Sequence, residues 1–142
     1  MAEYVANAEQ LVAVNQNVIF TDVAVCGNNS IIHRNNSGII TLRGLTSCGR
    51  ARYKVTFGGN VAIPEGGVLD PILMAITING EPVLSTTMIS TPAAAQDYNN
   101  IGRSTYIEIP CGCCTTITVK NIGTQPIDIQ NANIIVNKVD PK

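Results

Sequence analysis

The chain has 142 residues, enough for a single domain, and 45% of them are hydrophobic while only 13% are charged. Nine basic and ten acidic residues give a formal net charge of −1, and no cluster of Lys and Arg is present that would follow a phosphate backbone. These values argue against nucleic-acid binding and predict a surface covered mainly by Asn, Thr, Ser, Gln and Gly.

The first residues, Met-Ala-Glu-Tyr-Val-Ala-Asn-Ala-Glu, carry early acids and lack the basic and apolar regions of a secretory signal. No apolar run approaches the roughly 20 residues that span a bilayer. We therefore expect synthesis in the cytoplasm and no membrane partner.

Short runs of β-branched residues, separated by Asn, Gly and Pro, predict many short strands and no amphipathic helix. About ten strands at this spacing predict an all-β sandwich or closed barrel. In chain order the predicted strands are 11–14, 17–25, 30–34, 38–43, 52–63, 72–78, 82–89, 104–109, 115–121 and 126–139.

Two parts of this pattern are more specific. Between residues 52 and 57 the side chains of Tyr53, Val55 and Phe57 alternate with polar ones, which predicts one buried face. Gly58-Gly59 then predicts a bulge or a close backbone approach. Asn79-Gly80 predicts a two-residue hairpin turn, and a second hairpin is expected across residues 35–37.

The stretch from Pro92 to Arg103 has no clear periodicity, so we interpret it as a loop, with room for one helical turn at residues 93–96. Loops on a rigid scaffold often bind partners. We predict a partner-facing loop whose contact residues are Pro92, Gln96, Asp97, Asn99 and Arg103.

Five cysteines are an odd number, which excludes a complete intrachain disulfide framework. In a reducing cytosol Cys26 and Cys48 would behave as small hydrophobic residues. Cys111, Cys113 and Cys114 form a thiol cluster that is able to bind zinc or to oxidise across subunits. The cluster lacks a second Cys knuckle and a nearby His, which favours a structural turn. We predict no metal and no cofactor, and leave open a disulfide between this turn and Cys26 or Cys48.

Catalytic chemistry has few candidates. His33 is the single histidine, lies in a predicted strand, and is not accompanied by a nucleophile-elbow motif. The chain has no Trp and four Tyr, few for a sugar-binding platform. The main carboxylates lie in separate strands and turns and form no paired-acid motif; they are Asp22, Glu65, Asp70, Glu81, Asp97, Glu108 and Asp128. We predict that the protein is not an enzyme.

Several segments resemble known jelly rolls: Asn17-Val-Ile-Phe-Thr-Asp, Ser30-Ile-Ile-His-Arg, Gly38-Ile-Ile-Thr-Leu-Arg-Gly, Arg52-Tyr-Lys-Val-Thr-Phe-Gly-Gly-Asn and Ile78-Asn-Gly-Glu-Pro. Together they resemble the ten-stranded jelly-roll sandwich shared by tumour necrosis factor (TNF), complement C1q and spore-filament tip domains. The resemblance extends to short phage and prophage proteins of clostridia and related Firmicutes.

This resemblance implies a compact homotrimer, with one sheet of each protomer packed around a threefold axis. Tyr is enriched at protein interfaces, so Tyr98 and Tyr106 are candidates for the trimer interface; the alternative is that each covers the core edge of its own domain. The chain lacks the Gly-X-Y collagen stalk that usually precedes C1q-like and spore-tip domains, which favours a stand-alone protein.

The leading hypothesis is a bacteriophage capsid decoration protein that binds the major capsid protein on the outside of the head and is located on the virion. The alternative is a receptor- or glycan-binding tip of a phage fibre or of a cell or spore surface protein. We expect a short N-terminal arm, residues 1–10, and a jelly-roll domain, residues 11–142. The arm would lie on a neighbouring surface or pack on its own domain.

Overall fold

The computed structural model describes residues 2–25, 31–33, 36–43, 51–109 and 114–139. Within these ranges lie twelve β-strands and one short 3₁₀ helix, Leu84–Thr86. The strands are β1 (Ala2–Ala6), β2 (Gln10–Val12), β3 (Asp22–Val25), β4 (Ile31–His33), β5 (Ile40–Arg43), β6 (Ala51–Ala62), β7 (Ile72–Ile78), β8 (Glu81–Pro82), β9 (Met88–Ser90), β10 (Asn99–Ile109), β11 (Cys114–Asn121) and β12 (Ile127–Val139).

The strands form two antiparallel sheets. Sheet A has the order β10-β6-β12-β1-β3, and β2 also pairs with β12. Sheet B has the order β4-β5-β11-β7-β8, and β9 also pairs with β7. Each sheet therefore pairs early strands with late ones, β6 and β1 with β12 in sheet A and β5 with β11 in sheet B, as in a jelly roll, and the predicted all-β sandwich is confirmed.

The core lies between the two sheets. In β6, Tyr53, Val55 and Phe57 are buried, as their alternation with polar residues predicts. Phe57 meets Phe20 edge to face, with ring centroids 6.4 Å apart. Each large apolar side chain buried in this way contributes roughly 1.5–3 kcal/mol. The Tyr53 hydroxyl donates to the Arg43 carbonyl, 2.7 Å away, so its polar end is also bonded.

The N-terminal segment is part of sheet A. Ala2, Tyr4 and Ala6 are buried, and β1 pairs with β12 on one side and β3 on the other. The expected separation of an arm, residues 1–10, from the domain is therefore not seen at residues 2–6. Alternate apolar residues give β1 a buried face, and that face holds it within its own domain.

Two predicted strands are shorter than expected. The segment 17–25 becomes a strand of sheet A only at Asp22, because Val18 donates to the Val119 carbonyl at 2.8 Å and Phe20 to the Ser37 carbonyl at 3.2 Å. Those bonds tie it to the other sheet. The segment 82–89 is interrupted by the 3₁₀ helix, where the Thr86 hydroxyl donates to the Val83 carbonyl at 2.7 Å and accepts from the Ile76 N–H at 3.0 Å.

The predicted loop from Pro92 to Arg103 is partly a strand. From Asn99 onwards the backbone pairs with β6, with Asn99 opposite Val61 and Arg103 opposite Phe57. The loop prediction is therefore wrong for residues 99–103, and it holds for residues 92–98. Polar side chains and Gly102 hide the strand periodicity there, whereas backbone pairing to the long β6 determines the structure.

The turn chemistry agrees with the sequence. Asn79 and Gly80 have φ values of 51° and 87° and join β7 to β8, as predicted. Near Gly58-Gly59 the register shift lies in the opposite strand, between Gln130 and Asn133. A Cβ on Gly59 would lie 3.4 Å from the Ala132 Cα, so this glycine permits the close backbone approach.

Candidate functional site

The outer face of sheet A is formed by outward-pointing side chains of β10, β6, β12 and β1. On β10, β6 and β12 its central rows are uncharged. One row runs from Ser104 through Thr56 and Ile135 to Glu3 of β1, and Thr56 and Ser104 share a hydroxyl hydrogen bond of 3.1 Å. The next runs from Gly102 through Gly58 and Asn133 to Val5. Since this second row begins with two glycines, the middle of the face is low and flat.

One group of charges on this face lies towards one end of the sheet. Arg52 and Glu108 form an ion pair of 2.8 Å. Next to them Tyr106 lies beside Lys54, whose Nζ is 6.0 Å from the centre of the ring. Tyr106 is 62% exposed, so a large aromatic side chain stands in solvent on an otherwise flat surface. Aromatic side chains in such positions are typical of interface anchors.

A second group on the same face is a ladder of amides. Asn100 Nδ2 donates to Asn60 Oδ1 at 3.2 Å, and Asn60 Nδ2 donates to Asn131 Oδ1 at 3.4 Å. Asn133 Nδ2 donates to the Glu3 carboxylate at 2.6 Å. These bonds fix the polar side chains of the face, which lowers the entropy cost of packing a partner against them.

An acid cluster occupies the far end of the face. Asp128 lies between Leu11 of β2 and Ala62 of β6 and is only 7% exposed. Its burial, followed by the nearby Glu9 carboxylate, raises the pKa of Asp128, and a hydrogen bond from the Gln96 side chain opposes the shift. The pKa of Asp128 is therefore above that of an exposed aspartate because its carboxyl group is buried beside another acid.

Tyr98 belongs to the same cluster. Its hydroxyl is buried and completes no hydrogen bond of good geometry. Burial raises the pKa of Tyr98, and the charges of Glu9 and Asp128 add to the effect. The predicted loop thus lies against sheet A through the side chains of Gln96 and Tyr98, which cover Asp128.

The other predicted contact residues of the loop separate into two groups. Pro92 is buried, whereas Gln96 and Asp97 are exposed in the turn. Asn99 and Arg103 lie in β10, and the Arg103 guanidinium donates to the Ser85 carbonyl at 2.8 Å. Arg103 also lines a shallow cleft of about 280 Å³ between β9 and β10. Of the predicted contact residues only Pro92 is buried, and the partner-facing role of the others stays a prediction.

The single histidine, His33, is held by a backbone carbonyl and two aromatic rings. His33 Nε2 is 2.8 Å from the Ser37 carbonyl oxygen, so it carries the proton and donates. The ring lies against Tyr4, with centroids 4.4 Å apart, and meets Phe20 at 6.2 Å. These contacts hold a strand histidine in place.

Of the cysteines, Cys114 begins β11 and is exposed, opposite Arg43. Cys26, Cys48, Cys111 and Cys113 lie outside the described residues, so the thiol-cluster prediction stays a prediction. Across the described ranges, no three His, Cys, Asp or Glu side chains meet in a way that would hold a metal ion. The same part of the chain contains no helix long and apolar enough to cross a membrane.

Comparison with solved structures identifies the fold. The globular domain of zebrafish complement 1qA superposes with a TM-score of 0.59 at 11% identity, covering 94% of each chain. Murine APRIL superposes with a TM-score of 0.58 at 8% identity, covering 96% of this chain and 98% of that one. No protein-family model and no curated protein sequence matches. The chain therefore has the TNF/C1q-like jelly-roll fold that the sequence resemblance implies.

Sequence reasoning missed the acid cluster. Glu9 and Asp128 lie near opposite ends of the chain, so no local spacing indicates their contact. A weak signal was present in Asp128, an acid between two isoleucines in a segment that otherwise reads as a buried strand. A charged residue in such a position requires a specific partner.

Proposed function

We propose that the protein is a structural and binding protein that forms a homotrimer through the outer face of sheet A, and that it works by covering the surface of a larger assembly. The observation that supports this most directly is the face itself. On β10, β6 and β12 its centre is flat and uncharged, and the Glu3 carboxylate at its β1 side accepts from Asn133. Its polar side chains are fixed by hydrogen bonds, and Tyr106 projects from it. Such a face meets another protein surface with few charges to bury.

The particular assembly that we propose is a bacteriophage head, with the major capsid protein as the partner and a decoration protein as the role. This part of the proposal rests on the resemblance of the sequence motifs to phage and prophage proteins. A protein that binds only the assembled shell stabilises it by mass action. No catalytic residue is needed for that role.

The test of the trimer is native mass together with one pair of variants. We expect the purified protein to have the mass of three chains, and Tyr106→Arg to convert it to monomers, because three long cations would be brought together on one face. Ile32→Arg is the matched control, since Ile32 is exposed on the outer face of sheet B, and it should leave the trimer intact. A monomeric wild-type protein would contradict the proposal.

The test of the role is incubation of the wild-type protein with undecorated phage heads, followed by electron microscopy. Density at regular lattice points is the expected result. A protein that ignores heads and adheres to bacterial cells would instead indicate the receptor-binding tip.

A further inference from the structure

Along one side of the sandwich, the edge strands of the two sheets lie next to each other. Among the described strands, β10 pairs with β6 alone and forms the edge of sheet A, while β9 pairs with β7 at the edge of sheet B. Within the described residues no backbone hydrogen bond joins β9 to β10. An edge strand has a row of backbone N–H and C=O groups that its own sheet does not use, so β10 is able to pair with a further strand.

Arg103 is the cation of the cleft between these two edges. It has the same phase along β10 as the buried Ile101, so its side chain leaves the strand on the side opposite to Tyr106. One guanidinium nitrogen, Nη2, donates to the Ser85 carbonyl at 2.8 Å. Among the described residues no carboxylate pairs with this guanidinium, and its charge and remaining N–H groups are therefore available to a ligand.

Two polar side chains in the walls of the cleft are held in place by hydrogen bonds. The Thr87 hydroxyl donates to the Leu84 carbonyl at 2.7 Å, and Asn100 Nδ2 donates to the Gly59 carbonyl at 3.3 Å. The cleft has a volume of about 280 Å³, slightly below the range of pockets that enclose a whole small molecule. A shallow cleft of this size takes one side chain of a partner, whose backbone stays outside it.

We propose that the edge of β10 binds an extended acidic segment of a partner protein, which adds a strand beside β10 and places an Asp or Glu side chain against Arg103. Backbone hydrogen bonds give such a complex affinity, and the side chain in the cleft gives it specificity. A guanidinium binds a carboxylate through two parallel N–H···O bonds, and Arg103 retains donors for them beside its bond to Ser85. The site lies on the side of β10 opposite to Tyr106, so it goes beyond the trimer contact proposed above.

The experiment is an NMR titration of the full chain, labelled with nitrogen-15, with a short blocked peptide in which valine and threonine alternate around a central glutamate. We expect the amide signals of β9 and of residues 100–103 to shift, and those of β4, at the opposite edge of sheet B, to stay in place. The same peptide with a central glutamine should bind about tenfold more weakly, because it lacks the charge-assisted hydrogen bond. Absence of shifts in β10, or equal binding of the two peptides, would overturn the proposal on the wild-type protein alone.

Variants of Arg103, which is exposed, test its role directly. Arg103→Gln should bind the two peptides equally, and Arg103→Glu should prefer a peptide with a central lysine. Lys120→Gln is the matched control, because Lys120 Nζ also donates to a backbone carbonyl, that of Gly80 at 3.3 Å, and it should keep the wild-type preference. Tyr106→Arg should bind as the wild type does, which separates this site from the trimer. A preference for glutamate that persists in Arg103→Gln would contradict the proposal.

Discussion

At the scale of single residues, buried polar side chains stabilise this sandwich by hydrogen-bonding to backbone groups that have no partner in a neighbouring strand. Asn121, at the end of β11, is fully buried. Its Nδ2 donates to the carbonyls of Val12 at 3.1 Å and Gln125 at 2.9 Å, while its Oδ1 accepts from the Gly123 N–H at 3.0 Å. One amide thus satisfies three backbone groups.

Asn121→Ala should lower the free energy of unfolding by about 3 kcal/mol, because it leaves those backbone groups without partners. Chemical denaturation measures the change. Asn7→Ala, at an exposed position, is the control and should change stability by less than about 0.5 kcal/mol. Equal effects of the two substitutions would show that the amide network contributes nothing specific.

Asp128 should make stability depend on pH. Because burial and Glu9 raise its pKa in the folded state above the ordinary value of 3.8, the folded protein holds this proton more tightly than the unfolded chain does. The stability that this confers is present below pH 3.8 and is lost as the pH rises through the raised pKa. Asp128→Asn should therefore be more stable than the wild type at pH 7.

Urea unfolding at a fixed protein concentration measures that difference across the pH range. The gap between Asp128→Asn and the wild type should close as the pH falls towards 3.8. A gap that stays constant with pH would mean that the carboxyl does not titrate differently in the folded state.

At the scale of elements, sequence periodicity predicted the position of a strand correctly where the strand has one buried face. It did not predict the strand correctly where the backbone passes from one sheet to the other. Strands β6, β7, β11 and β12 were predicted within two residues at each end, because their side chains alternate or stay apolar throughout. Residues 17–21 were predicted as part of one strand, residues 17–25, yet Asn17 and Val18 pair with β11 of sheet B. Such bridging depends on distant backbone partners, which no local pattern encodes.

The hairpin between β7 and β8 depends on a left-handed residue. Gly80 has φ of 87°, and a Cβ there would meet nothing within 4 Å, so any cost of a side chain is purely conformational. Gly80→Ala should lower the free energy of unfolding by about 1–2 kcal/mol, whereas Gly80→Asn should cost less, since Asn tolerates this region. Thermal unfolding compares them with Glu81→Ala, an exposed control in the same hairpin. An undiminished stability of Gly80→Ala would mean that the turn changes type.

The sequence predicted those features of the candidate site that depend on local alternation, and it did not predict those that depend on contacts between distant residues. In the sequence Tyr106 alternates with Ile107 and Ile109, which points its side chain away from a core that holds the two isoleucines, and the structure leaves Tyr106 exposed. The alternation that exposes Tyr106 is local and visible in the sequence. The contact between Glu9 and Asp128 requires β2 and β12 to pair, and this depends on the topology of the whole sheet.

At the scale of the whole molecule, association through the outer face of sheet A should couple folding to protein concentration. If three chains fold as one unit, the midpoint of thermal unfolding rises with each tenfold increase in concentration. Differential scanning calorimetry on the wild-type protein and on Tyr106→Arg tests this, and the variant should lose the dependence. A wild-type midpoint that is independent of concentration would contradict a trimer that assembles as it folds.

The position of β12 has a consequence for folding. Among the described strands it comes last in sequence, yet it is the central one in sheet A, between β6 and β1. Without β12, the β10–β6 pair and the β1–β3 pair have no strand that joins them. The core of sheet A therefore closes only when this late strand inserts between two early ones, and slow closure of this kind exposes apolar edges to chaperones.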